Sequence, residues 1–420
     1  MLIDEGQSER NATTGGIALH LGRLTLWARA WLAVFFALVV AGCASPERLP
    51  PVPSAETARA LPLGLANARF FPLVDRAGMI AEWEQSLKRQ RQVLGLAPDA
   101  QLPTARFLAV SGGGDNGAFG AGVLVGWTEA GDRPEFQVVT GVSTGALIAP
   151  FAFVGPAYDK QLRDVYTTIS ADDVFSERGL ISGIFDDAMA DTTPLWNLIS
   201  KYVDEQLMVA IAREYQKGRL LLIGTTDLDA ERANIWNIGA IAASGHPGAL
   251  DLVRKILRAS SAVPAMFQPV MIDVELDGKK YQEMHVDGGA IAQLFLYPPS
   301  VDLSTSGVRR QRTAYIIRNA RLDPDYAVAE RRTITIAGRA ISTMLAASGH
   351  NDVLRIYFVS QRDGVDYNLA YIGSDFVAPE KKGEFDQAYM RALYDYGYQQ
   401  AKAGREWHKA PPGLGHESGK

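Results

Sequence analysis

"SGGGDNGAFG", residues 111–120, sets five glycines in ten positions immediately after the apolar run "FLAV" (107–110). Glycine is required where the backbone takes φ > 0 or must lie against a neighbour with no side chain between. A glycine-rich turn from strand to helix also gathers several N–H groups at one point, where the helix dipole favours negative charge. The stretch therefore reads as strand, anion-holding loop and helix. The anion is either the phosphate of a nucleotide or an oxyanion that exists only during a reaction.

Working outward, strands and helices alternate. "RFLAV" is short and wholly apolar, as a strand buried on both faces should be. "GAFGAGVLVGWTEAG" is a small-residue helix able to approach a sheet closely. "FQVVT" and "ALIAPFAFVG" repeat the strand–helix pair, and residues 157–218 form a mostly helical insertion. Strands follow in "RLLLIGTTDL", "RANIWNIGAI", "VMIDVEL", "KYQEMHV" and "TAYIIRN". Helices are expected at "ALDLVRKILRASSA", across 333–361, and around "QAYMRALYDYGYQQAKAG". This order predicts an α/β fold with a mainly parallel sheet.

Gly112, Gly114 and Gly117 satisfy G-x-G-x-x-G. A dinucleotide site would also need an acidic residue at the end of the second strand to hold a ribose. That strand runs instead into Gly141-Val142-Ser143-Thr144-Gly145, with no carboxylate. G-x-S-x-G between an apolar strand and an apolar helix is the context of a nucleophile elbow, with an exposed serine at a helix N-terminus. Both loops end successive strands, so both open on the carboxyl edge of one sheet, where α/β folds bind ligands. The expected anion is thus an oxyanion, faced by the N–H groups of Gly113 and Gly114. No nucleotide or nucleic-acid partner is expected.

A serine hydroxyl needs a base. His285 reads as a strand residue, and His408 and His416 lie in a Gly/Pro-rich tail. His350, in "AASGHND", is the one histidine placed to complete a Ser-His-Asp arrangement. "VDGGAI" offers another solution: Asp287 ends a strand, and Gly288 and Gly289 permit a sharp turn that leaves N–H groups to hold its carboxylate. A carboxylate is a weak base in water, with a pKa of about 3.9, but apolar burial raises it. Asp227 and Asp229 in "TTDLDAER" read as a strand-end turn rather than as metal ligands, and Asp186-Asp187 as a solvated loop.

G-G-G-x-x-G, G-x-S-x-G and D-G-G, in this order and spacing, resemble the patatin-like phospholipases, over roughly residues 105–320. "TTDLDAERANIWN" and "RASSAVPAMFQPV" are similar to two further blocks of that family. The resemblance implies a three-layer α/β fold, a mainly parallel central sheet flanked by helices, with a Ser-Asp dyad at its carboxyl edge. It implies Ser143 as nucleophile, Asp287 as general base and acid, and Gly112, Gly113 and Gly114 at the oxyanion hole. Gly117, Gly141, Gly145, Gly288 and Gly289 are the remaining motif glycines. The implied activity is acyl-ester hydrolysis on phospholipid or another lipid, with no metal or organic cofactor. One departure is Asn116, where the family usually carries Arg or Lys. A cation there assists an oxyanion or an anionic head group, so ester hydrolysis is the firmer expectation. The rival readings are a Ser-His-Asp esterase using His350, and an envelope binding protein that keeps the fold without turnover.

The chain has 420 residues, 47% hydrophobic and 21% charged, with net charge −5, which gives no electrostatic footprint for nucleic acid. Its one cysteine, Cys43, excludes an intramolecular disulfide. Arg23 and Arg29 precede "AWLAVFFALVVAG", which falls short of the roughly 20 apolar residues of a membrane span. A basic start, a short apolar run and small residues at its end make a secretory signal. "VAGCAS" resembles the lipobox of bacterial lipoproteins. That implies cleavage before Cys43, lipidation of its thiol and, with Ala44 following, the periplasmic face of the outer membrane. The expected organisation is a signal at 1–42, a lipid-anchored flexible linker at 43–65 and a helical extension at 66–104. The catalytic domain spans 105–320, and a helical or mixed extension packed on it spans 321–420.

Overall fold

The structure, a computed structural model, describes residues 48–72, 76–177, 188, 190–324, 326 and 328–414. The expected signal, Cys43, Asp186-Asp187 and His416 lie outside these residues. In chain order the strands are β1 (Arg69–Phe70), β2 (Ala105–Val110), β3 (Val138–Gly141), β4 (Ser176–Glu177), β5 (Ala190–Asp191), β6 (Leu220–Asp227), β7 (Arg232–Asn237), β8 (Val270–Leu276), β9 (Lys279–Asp287), β10 (Arg312–Arg318) and β11 (Asp366–Tyr371). The α-helices are α1 (Arg76–Leu94), α2 (Gly117–Ala130), α3 (Thr144–Val154), α4 (Asp159–Thr168), α5 (Thr193–Tyr202), α6 (Glu205–Gln216), α7 (Ile238–Ala243), α8 (Ala249–Ser260), α9 (Thr333–Arg362) and α10 (Gln387–Lys402).

One sheet runs β1-β7-β6-β3-β2-β10-β11, with β6, β3, β2, β10 and β11 parallel and β8–β9 attached as a hairpin. Two apolar layers cover it. Ile148, Leu207, Ile223 and Leu257 belong to one, and Phe107, Leu222, Ile316 and Ile356 to the other. Alternate residues of β6 thus feed opposite cores, as a strand buried on both faces must. Among the described residues, no helix is long and apolar enough to cross a membrane.

β6 decides where the chemistry can lie. Its first half pairs in parallel with β3, up to Gly141 opposite Ile223. Its second half pairs antiparallel with β9, where Asp287 stands opposite Thr225. The ends of β3 and β9 therefore meet two residues apart along β6, about 7 Å. Ser143 follows one of those ends and Asp287 closes the other.

The sequence reading differs from the structure in three places. Residues 48–65 are not a free tether. Arg48 makes two hydrogen bonds to Asp229, at 2.8 and 2.9 Å, and the N–H of Leu61 reaches the carbonyl of Glu275 at 2.8 Å. "RANIWNIGAI" is a strand only as far as Asn237. The Asn237 side chain accepts the N–H of Ala240 and starts α7 inside the apolar run. The region beyond 320 is part of the body, because β11 is a strand of the main sheet and α10 packs on α2. Gly122 and Gly126 permit that packing: a Cβ there would stand 2.1 and 2.3 Å from the carbonyl oxygens of Tyr394 and Tyr398.

Candidate active site

Ser143 has φ 55° and ψ −128°, a positive φ rare outside glycine. Such a conformation costs about 1–3 kcal/mol and persists only where its surroundings enforce it. The flanking glycines do so. A Cβ on Gly141 would lie 2.4 Å from the Gly145 carbonyl, and one on Gly145 would lie 2.2 Å from that of Val110. Ser260, at the end of α8, ties the turn to β6: its hydroxyl accepts the N–H of Ser143 at 3.0 Å and donates to the Gly224 carbonyl at 2.7 Å.

Asp287 is only 3% exposed and Ser143 7%. Ser143 lies beside the Asp287 carboxyl and favours its charged form. One carboxylate oxygen also accepts the N–H of Gly289 at 2.7 Å, and the Asp287 N–H donates to the Ala262 carbonyl. Burial pushes the carboxyl up to about 6, while the bonds from Ser143 and Gly289 hold it from rising further. Both glycines after it are sterically required. A Cβ on Gly288 would meet the Gly224 carbonyl at 2.5 Å, and one on Gly289 the Gln293 amide at 2.1 Å.

The glycine loop closes over the same point. A Cβ on Gly112 would stand 3.0 Å from the Cβ of Ser143, so only glycine leaves this approach open. Its N–H, however, donates to the Gln293 carbonyl at 3.3 Å. Of the three expected oxyanion donors, that leaves Gly113 and Gly114, whose N–H groups have no carbonyl acceptor among the described residues. The two loops and the D-G-G turn therefore meet at one buried serine–carboxylate pair, and residues 108–298 match the family model described as patatin-like phospholipase. Residues 108–298 are similar to the patatin-like phospholipases.

No curated protein matches the chain. Among solved structures it is similar to VipD from Legionella pneumophila, at 12% identity and a TM-score of 0.35, over 74% of this chain and 68% of that one. It is also similar to human GIVD cytosolic phospholipase A2, at 11% identity and a TM-score of 0.33, over 80% and 65% of the two chains. The family match supports a lipid hydrolase.

Several polar partners of the patatin-like site carry no local sequence signal. The Ser111 hydroxyl donates to the Gly112 carbonyl at 2.7 Å and accepts the N–H of Asn319 at 2.8 Å. The Gly112 carbonyl and the Gly113 N–H belong to one peptide unit, so this chain fixes the direction in which Gly113 donates. The Asn319 side chain in turn accepts the N–H of Gly120 at 3.0 Å. Arg318 is buried behind the same loop, where burial lowers its guanidinium to about 10. Gly349 makes room for it, since a Cβ there would lie 2.3 Å from a guanidinium nitrogen. Asn116 accepts the Tyr389 hydroxyl at 2.7 Å, and the buried carboxylate of Asp115 takes Lys381 at 2.8 Å. Arg318 and Lys381 thus place cations near a loop that itself has none.

His350 lies on α9 beside Gly349, whereas Ser143 lies beside Asp287. His285 is buried between Thr225, 3.0 Å from one ring nitrogen, and Glu283, 3.1 Å from the other. Asp227 joins them, so among the described residues Asp227, Glu283 and His285 form one buried cluster. Both Glu283 oxygens are taken by the Arg69 guanidinium, which makes the cluster a buried charge network. Asp227 also accepts the N–H groups of Asp229 and Ala230, the strand-end turn expected there. An apolar cavity of about 610 Å³ lies on the sheet face carrying Leu220, Leu222 and Gly224, against Met79 and Trp83 of α1. Val142 and Gly288 form part of its wall, but Ser143 and Asp287 do not.

Proposed function

We propose that the patatin-like domain hydrolyses lipid acyl esters through a Ser143–Asp287 dyad and an acyl-enzyme intermediate. The observation that carries this reading is that the G-x-S-x-G turn and the end of β9 bring Ser143 beside a buried carboxyl raised to about 6. A base with a pKa near the working pH combines the correct protonation state with a useful driving force for proton transfer. Ser143 Oγ attacks the ester carbonyl carbon as Asp287 takes its proton. The carbonyl oxygen becomes an oxyanion facing the N–H groups of Gly113 and Gly114, each such donor being worth about 2.7–4 kcal/mol. Collapse breaks the bond to the alcohol or lysolipid, which leaves with the proton from Asp287. Water, deprotonated by Asp287, then attacks the acyl-serine, releasing the fatty acid and returning the proton to Ser143. No metal or cofactor takes part in this sequence. The resemblance of "VAGCAS" to a lipobox supports, as part of this reading, a lipid anchor at Cys43 and a position in the cell envelope, on the periplasmic face of the outer membrane.

The test follows fatty-acid release from phospholipid vesicles and from soluble acyl esters, using the full chain beside Ser143→Ala, Asp287→Ala and His350→Ala. The expected result is loss of release in the first two, with the His350 variant retaining most of it. A Ser143 that escapes a fluorophosphonate probe in folded protein would overturn the dyad. Loss of release in His350→Ala alone would favour the Ser-His-Asp arrangement.

A further inference from the structure

The apolar cavity of about 610 Å³ lies apart from the dyad and is built largely by elements outside residues 108–298. α1 supplies Met79, Trp83 and Leu87, the segment between β9 and β10 supplies Val301 and Leu303, and α9 supplies Ile356 and Val359. Leu220, Leu222 and Gly224 of β6 form its floor. Phe70 stands opposite Ile235, which stands opposite Gly224, so α1 starts near the level of Gly224. Further on, the Ser86 hydroxyl donates to the Gly218 carbonyl at 2.6 Å, just before Leu220. The helix therefore runs down the strand in the opposite direction, over a floor of about 13 Å at about 3.3 Å per residue. At the upper end Val142 and Gly288 close the cavity, one residue from Ser143 and Asp287.

Polar contacts hold α1 over this floor. The Glu82 carboxylate accepts the Tyr215 hydroxyl at 2.9 Å and Arg89 at 2.7 Å, and the Gln90 amide donates to the Gly218 carbonyl at 3.0 Å. Protein interiors carry few voids larger than a water molecule, because side chains facing a void forfeit their contacts. This one is about four times the roughly 150 Å³ that holds one benzene, which leaves room for a long acyl chain. An elongated slot between a helix and a sheet suits an unbranched chain. Ile80 and Ile291 on its wall are 37% and 42% exposed and mark its mouth. Arg76, the first residue of α1, lies on the wall at the Gly224 end and has no acidic partner among the described residues. Of the acids on the wall, Glu82 is bonded as above and Asp302 accepts the N–H groups of Ser304 and Thr305, while Glu84 lies about two turns further along α1.

We propose that this cavity binds one long-chain fatty acid, its chain along β6 and its carboxylate at Arg76, as a site separate from the dyad. The site does not depend on turnover at Ser143. The test titrates the full chain with fatty acids brominated along the chain, below their micelle concentration, and follows tryptophan fluorescence beside calorimetry. Quenching is expected to saturate at one acid per chain and to shrink in Trp83→Phe, which still binds by calorimetry. Affinity for saturated acids should rise about fourfold with each CH₂ that enters and level off once the cavity is full. Leu222→Trp and Leu303→Trp, which fill the cavity, should each weaken binding about tenfold or more, with Val209→Trp, exposed on α6, as control. Ser143→Ala should bind as the unsubstituted chain does, and Arg76→Gln should lower affinity for the acid to that for its methyl ester. Quenching unchanged in Trp83→Phe, or binding lost in Ser143→Ala, places the acid elsewhere and overturns the proposal. A methyl ester bound as tightly as the acid by the unsubstituted chain overturns it too, and assigns the cavity to an esterified chain. So does the absence of saturable binding. If no ester is turned over while the acid binds as expected, the hydrolase reading fails and the fatty-acid site stands.

Discussion

Asp287→Asn should abolish turnover and stabilise the protein, by an amount that depends on pH. The buried Asp287 carboxyl is raised from an ordinary 3.8 to about 6. Between those values the folded state binds more proton than the unfolded state, so the contribution of Asp287 to stability falls as pH rises through the window. Two units at about 1.4 kcal/mol each give a cost of about 3 kcal/mol above pH 7, and nearly none at pH 4. Asparagine keeps the oxygen that accepts the Gly289 N–H and offers an amide N–H to the Ser143 hydroxyl, without burying a charge. In urea unfolding of the detergent-solubilised full chain, the variant should therefore match wild type at pH 4 and exceed it by about 3 kcal/mol at pH 8. A slope of about 3 kcal/mol per molar makes that a shift near 1 M in midpoint. The same titration predicts that esterase kcat/KM falls tenfold per pH unit well below 6. A stability gap that is constant with pH, or an asparagine variant less stable at pH 8, would refute the argument that burial raises this carboxyl.

Further substitutions probe the frame around the dyad and the body that carries it. Gly113→Ala places a Cβ 2.1 Å from the Asn319 carbonyl, so the loop must move; ester turnover should fall by about 10²–10³. Gly131→Ala, at the positive-φ end of α2 with open space around it, should cost about 1 kcal/mol in unfolding and leave turnover intact. Arg69→Met strips the buried Glu283 of its guanidinium and should cost about 3–5 kcal/mol, whereas Arg69→Met with Glu283→Leu should recover a large part of that. Additive losses in that cycle would show that the pair is not coupled. Burial alone would raise the Glu283 carboxyl, but Arg69 and His285 hold it at about 2. The stability it contributes is thus complete above about pH 5 and is lost as pH falls toward 2, a loss that Glu283→Gln should not show.

The parts of this site that were legible in the sequence are those whose reason is steric and local. Gly112, Gly141, Gly145, Gly288 and Gly289 all sit where a Cβ would meet another atom at 3.0 Å or less, so no other residue leaves the turns intact. The steric demand writes itself into the chain as G-G-G, G-x-S-x-G and D-G-G. The polar groups that aim these turns come from elsewhere. Asn319 lies 208 residues from Ser111 and Ser260 lies 117 from Ser143, and even where a stretch such as "RASSA" is similar to a family block, nothing local says which partner its serine reaches. Strand β11 was illegible for a related reason. "DYNLAY" carries Asn368 at a buried position, and the amide is tolerated because it donates to the Ala314 carbonyl of β10, a partner that only pairing reveals. The linker gave the same difficulty in reverse. "PERLPPVPSAETARALPLG" has the proline content of an extended, free segment, yet it turns through two short 3-10 helices, Ser54–Glu56 and Pro62–Gly64, and Arg48 and Leu49 dock on Asp229 and Gln282, more than 180 residues away, with Arg69 of β1 on Glu283 just beyond it. Composition does not report these partners, and the pairing decides how such a segment is held. Because that pairing runs along β9, whose last residue is Asp287, the strap braces the strand that presents the base.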